Sequence, residues 1–321
     1  MPQVDAGFVT DGGMETDLIF HHGLDLPEFA AFPLLQDEAG RRLLESYYRG
    51  YADIARRSGA GLLLETPTWR ANPDWGRALG YDAEALRQVD VEAVTWLRRL
   101  ARTWATDLPA VLVSGMIGPR DDGYAASTID PAEAADYHRP QLAAFLEAGA
   151  DLATALTLTS VGEATGVIRA AAELGIPVAV SFTVETDGAL PDGTPLGTAV
   201  EAVDDATSGA ASHFLVNCAH PQHIARALPA PGAGRGPDWT SRIAGLRVNA
   251  STLSHAELDE ALELDEGDIP TLAAATRDLA ASLPAVRIVG GCCGTDARHV
   301  AAMWGVEQDT PGAHTGPAAP G

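Results

Sequence analysis

Three cysteines occur in the chain, and their surroundings mark all three as candidates for one metal centre. Cys218 lies in Val216-Asn217-Cys218-Ala219-His220-Pro221, and Cys292 and Cys293 adjoin in Val289-Gly290-Gly291-Cys292-Cys293-Gly294-Thr295. Each follows a short apolar, strand-like run, and only a closed tertiary fold would bring the single residue to the pair. Three thiolates around Zn²⁺ leave one tetrahedral position for a substrate, which is the coordination of a catalytic zinc rather than a structural one. The chemistry this serves is thiol activation. A free thiol has a pKa of about 8.5 and is mostly protonated at neutral pH, whereas a coordinated thiol loses its proton outright. Three protein thiolates already outweigh the charge of the ion, so a fourth sulfur bound there stays electron-rich. A zinc that makes hydroxide is more usually held by histidines, so an all-sulfur set points away from hydrolysis.

Gly290, Gly291 and Gly294 give the backbone the freedom to aim two adjacent side chains at one ion. Incidental buried cysteines and a vicinal disulfide are the rival readings; the placement of every cysteine at a strand end favours the metal. His220, His223 and His299 offer a competing ligand set and read as helix-surface or supporting residues.

The elements that must position these residues follow a repeated pattern: a short apolar run, a Gly or polar cluster, then a segment of helical period. The predicted strands are Gly7–Thr10, Gly61–Glu65, Ala110–Ser114, Leu152–Leu156, Val178–Thr183, His213–Val216, Gly245–Val248 and Arg287–Val289. Amphipathic stretches lie between them, among them Arg41–Ser58, Ala83–Arg102, Pro131–Ala148, Val161–Leu174 and Pro221–Leu228. Asp130 followed by Pro131 is a cap with proline at the first helical position. About eight βα units predict a single α/β domain, a (β/α)₈ TIM-type barrel with the zinc site at its C-terminal mouth. A doubly wound open sheet is the rival. Polar motifs after successive strands favour the barrel: Asp11-Gly12-Gly13, Glu65-Thr66, Gly115 to Pro119, Glu185, Cys218, Asn249 and the cysteine pair all fall where barrel enzymes build their sites. The barrel is predicted to occupy residues 1–305, with 306–321 as a disordered tail and Pro229–Pro237 as a surface loop.

The chain has 321 residues, 46% of them hydrophobic, enough for one large α/β core. Its formal charge of −23 argues against nucleic-acid binding, which needs a basic footprint. Lysine is absent, which excludes Schiff-base chemistry and a lysine-bound pyridoxal cofactor. The N-terminal sequence carries no signal core, no apolar run approaches a membrane span, and three cysteines make a poor disulfide framework. A cytoplasmic enzyme of small molecules is expected, with no nucleic-acid or membrane partner and with oligomerisation open.

At these residues the chain resembles the zinc-dependent homocysteine S-methyltransferase family, which includes betaine– and S-methylmethionine–homocysteine methyltransferases. The pieces that carry the resemblance occur in order: Thr10-Asp11-Gly12-Gly13-Met14-Glu15-Thr16, Gly118-Pro119, Ala148-Gly149-Ala150-Asp151, Asp192-Gly193-Thr194-Pro195-Leu196, Asn217-Cys218 and Gly290-Gly291-Cys292-Cys293-Gly294. The resemblance implies a (β/α)₈ barrel, Cys218, Cys292 and Cys293 as zinc ligands, and contact of Asp11, Gly12 and Gly13 with the amino acid portion of a thiol substrate. It implies methyl transfer from a sulfonium or quaternary ammonium donor to homocysteine or a related small thiol. Demethylation of a methylated amine or sulfonium compound, and a non-catalytic zinc-binding barrel, are the alternatives.

One position departs from the family. Leu156 stands where the family usually carries the glutamate that anchors the homocysteine ammonium. Loss of such a charged hydrogen bond costs about 1.5–3 kcal/mol, roughly 10- to 150-fold in affinity. Glu65 and Glu185 are the acids that face the predicted mouth and are the candidates to compensate, Glu65 being the stronger for substrate contact. Asn217 reads as a support for its neighbour Cys218 and as a substrate contact. Trp69, Trp75 and Tyr124, in loops after the second and third strands, are candidates for a cage around a cationic donor.

Overall fold

Eight parallel strands close on themselves in sequence order, so the barrel and not the open sheet is the fold. The computed structural model describes residues 3–229, 238–259, 261 and 263–306. The strands are β1 (Phe8–Val9), β2 (Gly61–Glu65), β3 (Val111–Ile117), β4 (Leu152–Leu158), β5 (Val178–Phe182), β6 (His213–Asn217), β7 (Ile243–Val248) and β8 (Ile288–Gly291). β8 pairs with β1 through Phe8–Ile288 and Val9–Val289, which closes the ring. β3 and β4 run further than their apolar patterns predict, so Gly115 lies inside a strand. A Cβ there would sit 2.2 Å from the Phe145 ring, so the glycine lets the helix Pro131–Glu147 lie directly on β3.

The helices form for the reasons their sequences give. Asp37 caps Glu38–Ser58 by accepting from the Gly40 amide, and Leu44, Tyr47, Tyr48, Tyr51 and Ala55 bury one face at helical spacing. Asp130 accepts from the amides of Ala132 and Glu133 to start Pro131–Glu147. Among the described residues, no helix is long and apolar enough to cross a membrane. Residues 230–237 of the expected loop and 307–321 of the expected tail lie outside the described residues.

Inside the barrel, side chains repeat with the strand period of two and stack in layers. The lowest layer is apolar: Phe8, Leu63, Leu152, Ala179, Leu215 and Ile288 form one buried cluster. Two residues further along the strands the same directions carry Thr10, Glu65, Thr154, Ser181 and Asn217, and Arg247 of β7 joins them, all buried. Two residues further again come Leu156 and Cys292, at the floor of the mouth. Alternation thus places an apolar plug, then a polar layer, then the candidate site.

Candidate metal centre and thiol pocket

Cys218 follows β6, and Cys292 and Cys293 follow β8, so the barrel brings both segments to the same mouth. Their three Sγ atoms lie within 4.8 Å of one another. The Cys218 and Cys292 sulfurs are 3.0 Å apart, and those of Cys218 and Cys293 are 3.5 Å apart. Three soft donors converging on one point fit a thiophilic divalent cation such as zinc. Contacts with the other two thiols, helped by the charge of Arg247, hold the Cys292 thiol well below its usual range. The same contacts push Cys218 well above it.

The backbone is built to aim these sulfurs. Cys218 has φ = 56°, the left-handed region that a non-glycine residue rarely enters. Its carbonyl is fixed there by the Asn249 side-chain amide at 3.1 Å and by His255 Nε2 at 2.7 Å. Strain of this kind persists only where surrounding bonds over-determine it. Asn217 donates from Nδ2 to Thr157 Oγ1 at 2.8 Å and lies 3.8 Å from Cys292 Sγ. Its Oδ1 accepts from the Thr157 amide and the Ser181 hydroxyl, so the side chain is locked on both ends. The Asp11-Gly12-Gly13 turn packs directly on the cysteine loop: a Cβ on Gly13 would lie 2.5 Å from the Cys292 carbonyl oxygen.

A cavity of about 50 Å³ opens above the sulfurs, lined by the Asp11-Gly12-Gly13 turn, Glu15, Leu156, Asn217 and Arg247 among others. Asp11 lines it, but its carboxylate is already paired with Arg247 at 2.6 Å deep in the barrel. Arg247 also reaches the carbonyls of Gly291 and Gly12, so it ties β1, β7 and β8 together. Glu65 lies one layer below and does not line this cavity; both its carboxylate oxygens are buried without a hydrogen-bond partner. Burial lifts its pKa to about 7, although Arg247 nearby draws it down. Glu185 does not line the cavity either; it pairs with His255 Nδ1 at 2.9 Å. The partly buried carboxylate of Glu15 has no partner from another residue among those described, and burial raises it to about 7.

Tyr124 reaches across from the loop after β3. Its hydroxyl stands 3.1 Å from Cys218 Sγ and 3.4 Å from Cys293 Sγ, while its ring stacks on His255. It closes the small cavity from above and forms one wall of a second, wider one of about 350 Å³, which Cys293, Phe29 and Trp69 also line. The histidines near the cysteines in sequence do other work. His220 caps Pro221–Ala227 and His299 completes a capping box with Asp296.

Arg247, Glu15 and Arg70 escaped the sequence reading. Arg247 had a signal, an arginine within the apolar run Ile243–Val248. Glu15 stands inside the quoted motif Thr10–Thr16 without being singled out there, and Arg70 adjoins the cage candidate Trp69; neither has a periodicity to mark it.

Fold and site together define a β/α-barrel protein with a three-thiol centre able to take a metal ion. The profile of the homocysteine S-methyltransferase family matches residues 8–305. The chain is 31% identical over 208 residues to the homocysteine S-methyltransferase of Escherichia coli (strain K12), a match spanning 58% of this chain and 61%, less than two thirds, of that protein. It is 25% identical over 233 residues to the homocysteine S-methyltransferase YbgG of Bacillus subtilis (strain 168), spanning 67% and 70% of the two. In three dimensions it superposes on the metallated form of the homocysteine methyltransferase MmuM from Escherichia coli with a TM-score of 0.69 at 22% identity, covering 94% of this chain and 96% of that one. The oxidised form of MmuM gives a TM-score of 0.72. This chain belongs to the homocysteine S-methyltransferase family.

Proposed function

We propose that the protein is a zinc-dependent S-methyltransferase that moves a methyl group from a sulfonium or quaternary ammonium donor to the thiol of homocysteine. The observation that carries this reading is the convergence of the Cys218, Cys292 and Cys293 sulfurs at the floor of a cavity walled by the Asp11-Gly12-Gly13 turn. These three residues would hold the zinc, whose contribution is to keep a substrate thiol ionised at neutral pH.

What the chain itself supplies follows from its residues. The substrate thiolate attacks the methyl carbon; a carbon–sulfur bond forms as the carbon–nitrogen or carbon–sulfur bond of the donor breaks. The leaving group is a neutral amine or sulfide, so no general acid is needed. The proton lost by the thiol goes to solvent. Glu15 supports an amino acid as the thiol: its unpaired carboxylate matches an ammonium, while Asp11 is occupied by Arg247 and Leu156 offers no charge. Leu156 and Met116 keep water from the transfer path. Three thiols that must stay reduced suit the cytoplasm, and small molecules are the expected partners.

Cobalt substitution followed by homocysteine titration tests the reading. Thiolate-to-cobalt absorption with a further saturable change on adding homocysteine is expected, together with methionine formed from a labelled methyl donor. Absence of thiolate bands overturns the metal centre, and bands that ignore homocysteine overturn the substrate.

A further inference from the structure

His138, on the helix Pro131–Glu147, and Glu163, in the first turn of the helix Val161–Leu174, are both buried and face each other, with His138 Nε2 2.9 Å from Glu163 Oε1. The pair is poorly satisfied: His138 Nδ1 and Glu163 Oε2 are buried without a hydrogen-bond partner. A buried pair of this kind contributes little to stability, because desolvation offsets its attraction unless the remaining polar atoms are met. What the carboxylate does hold is backbone. Glu163 Oε1 also accepts from the Arg120 amide at 2.7 Å, and Arg120 stands near the start of the loop that carries Tyr124 across the mouth.

That loop, residues 118–130, is gripped at both ends. Near its start the Asn72 side-chain amide donates to the Pro119 carbonyl at 3.1 Å, and the Arg120 guanidinium pairs with Glu133 and lies over the Tyr137 ring. At its end a Cβ on Gly162 would lie 2.1 Å from the Ile129 carbonyl oxygen, so the helix that carries Glu163 starts directly against the chain. Between these stems the bonds are local. Asp122 accepts from the Tyr124 amide at 2.7 Å and Asp121 from the Ser127 hydroxyl at 2.9 Å. Gly123 sits against Thr157, where a Cβ would lie 3.1 Å from Cγ2, and Thr157 is the residue that Asn217 holds. From this seat the Tyr124 hydroxyl reaches the sulfurs of Cys218 and Cys293.

We propose that Tyr124 preorganises the three-sulfur centre from outside the ligand set, and that Glu163 is the positioning residue that delivers it. The inference rests on the metal reading above and extends it to the loop after β3. Cys218 and Cys293 follow different strands, β6 and β8, and one phenol lies within hydrogen-bond reach of both, so it holds them together for a single ion. The third sulfur, Cys292, has the Asn217 side-chain amide at 3.8 Å instead. Each sulfur thus has a neutral donor beside it. Such donors fix the direction of a thiolate and draw charge from it while leaving it free to bind metal. Because both stems of the loop are fixed, the place of the phenol over the sulfurs is set by groups outside the barrel, Glu163 first among them.

Zinc affinity of the metal-stripped protein, read by competition with a chromophoric chelator, tests this without turnover. Tyr124→Phe keeps the ring on His255 and removes the hydroxyl, and the zinc dissociation constant is expected to rise about 10- to 100-fold. Glu163→Ala releases the Arg120 amide and should weaken zinc to a similar degree, whereas Glu163→Gln keeps an acceptor oxygen and should stay near the wild type. The double variant Tyr124→Phe/Glu163→Ala should bind zinc no more weakly than Tyr124→Phe alone, because the anchor acts through the hydroxyl. In cobalt-loaded protein, Tyr124→Phe and Glu163→Ala should both move the thiolate-to-cobalt bands to longer wavelength, since losing a donor raises the energy of the sulfur lone pairs. If Glu163→Ala does not fold, Gly162→Ala displaces the same loop from its other end and is expected to act as Glu163→Ala would. Wild-type zinc affinity and unshifted bands in Tyr124→Phe overturn the proposal. Additive losses in the double variant overturn the role of Glu163 and mark it as a packing residue. A wild type without thiolate bands overturns the metal reading itself, an outcome distinct from bands that ignore Tyr124→Phe.

Discussion

The two lower layers of the barrel interior are built largely from the same strands, two residues apart, and have opposite natures. Phe8, Leu63, Leu152, Ala179, Leu215 and Ile288 are wholly apolar and ask only to be filled. The layer above holds Arg247, ion-paired upward to Asp11 of the mouth, and a carboxylate without a hydrogen-bond partner, Glu65. The lower layer is where burial stabilises the fold. The upper one is where stability is given up to hold charge beneath the three sulfurs. A barrel can carry both because its strands are long enough for more than one layer, and only the layers next to the mouth need answer to chemistry.

The largest effect that would sharpen this contrast belongs to the mouth. Cys292→Ala should abolish stoichiometric metal binding and reduce methyl transfer by more than the 10- to 100-fold typical of losing an outer partner. The unfolding midpoint without metal should change little. Retained metal at wild-type affinity, read by mass spectrometry of dialysed protein, would break the assignment. Next comes the polar layer. Arg247→Met leaves Asp11 charged and buried, and should cost about 3–5 kcal/mol in denaturant unfolding. The double variant with Asp11→Leu should recover part of that loss; if it is no better than the single, the ion pair is not the cause.

In the plug, Leu63→Ala should cost about 2–5 kcal/mol while metal affinity and KM stay at wild-type values. A coupled loss of metal would mean the layers are not separable. Glu65 gives a smaller, pH-dependent effect. Burial lifts its pKa from 4.5 to about 7, so the folded state keeps a proton that the unfolded chain has released. Stability conferred by that proton is complete below about 4.5 and disappears as pH rises through 7, a change of about 3 kcal/mol. Glu65→Gln should therefore gain on the wild type between pH 4.5 and 7.5; parallel Tm profiles would contradict it. The smallest effect is expected at Glu15. Its replacement by Gln should raise KM for homocysteine about 10- to 150-fold and leave that for 4-mercaptobutanoate, which lacks the amine, unchanged. Equal changes for both thiols would remove Glu15 from substrate recognition.

Much of this was legible from the chain. Apolar runs alternating with helical periods give the barrel, because each strand must be covered by the helix that follows it. The convergence of the cysteines was legible because each follows a strand at the same end of the barrel. The polar layer was harder. Glu65 looked like a residue of the mouth, and only strand pairing shows that it lies a layer beneath Leu156. Register is a tertiary fact, set by which strand meets which. Tyr124 could be assigned to a loop, but not to a position 3.1 Å from a cysteine sulfur, because its path over the mouth depends on contacts such as the stacking on His255. Arg70 illustrates the same limit: its guanidinium is clamped between the ring of Trp69, its neighbour in sequence, and that of Trp75 from the helix Pro73–Ala78.

The closure of the ring by β8 on β1 has a consequence for the order of events during synthesis. Chains emerge N-terminus first, and β8, which two of the three sulfurs directly follow, is the last strand made among the described residues. Until then the nascent protein owns a single cysteine, too few to compete for a metal ion. When Ile288 finds Phe8, the same pairing that seals the barrel sets Cys292 and Cys293 opposite Cys218. Under the proposed metal reading, uptake of an ion would wait for a finished scaffold, because a chain truncated before β8 has only one of the three sulfurs.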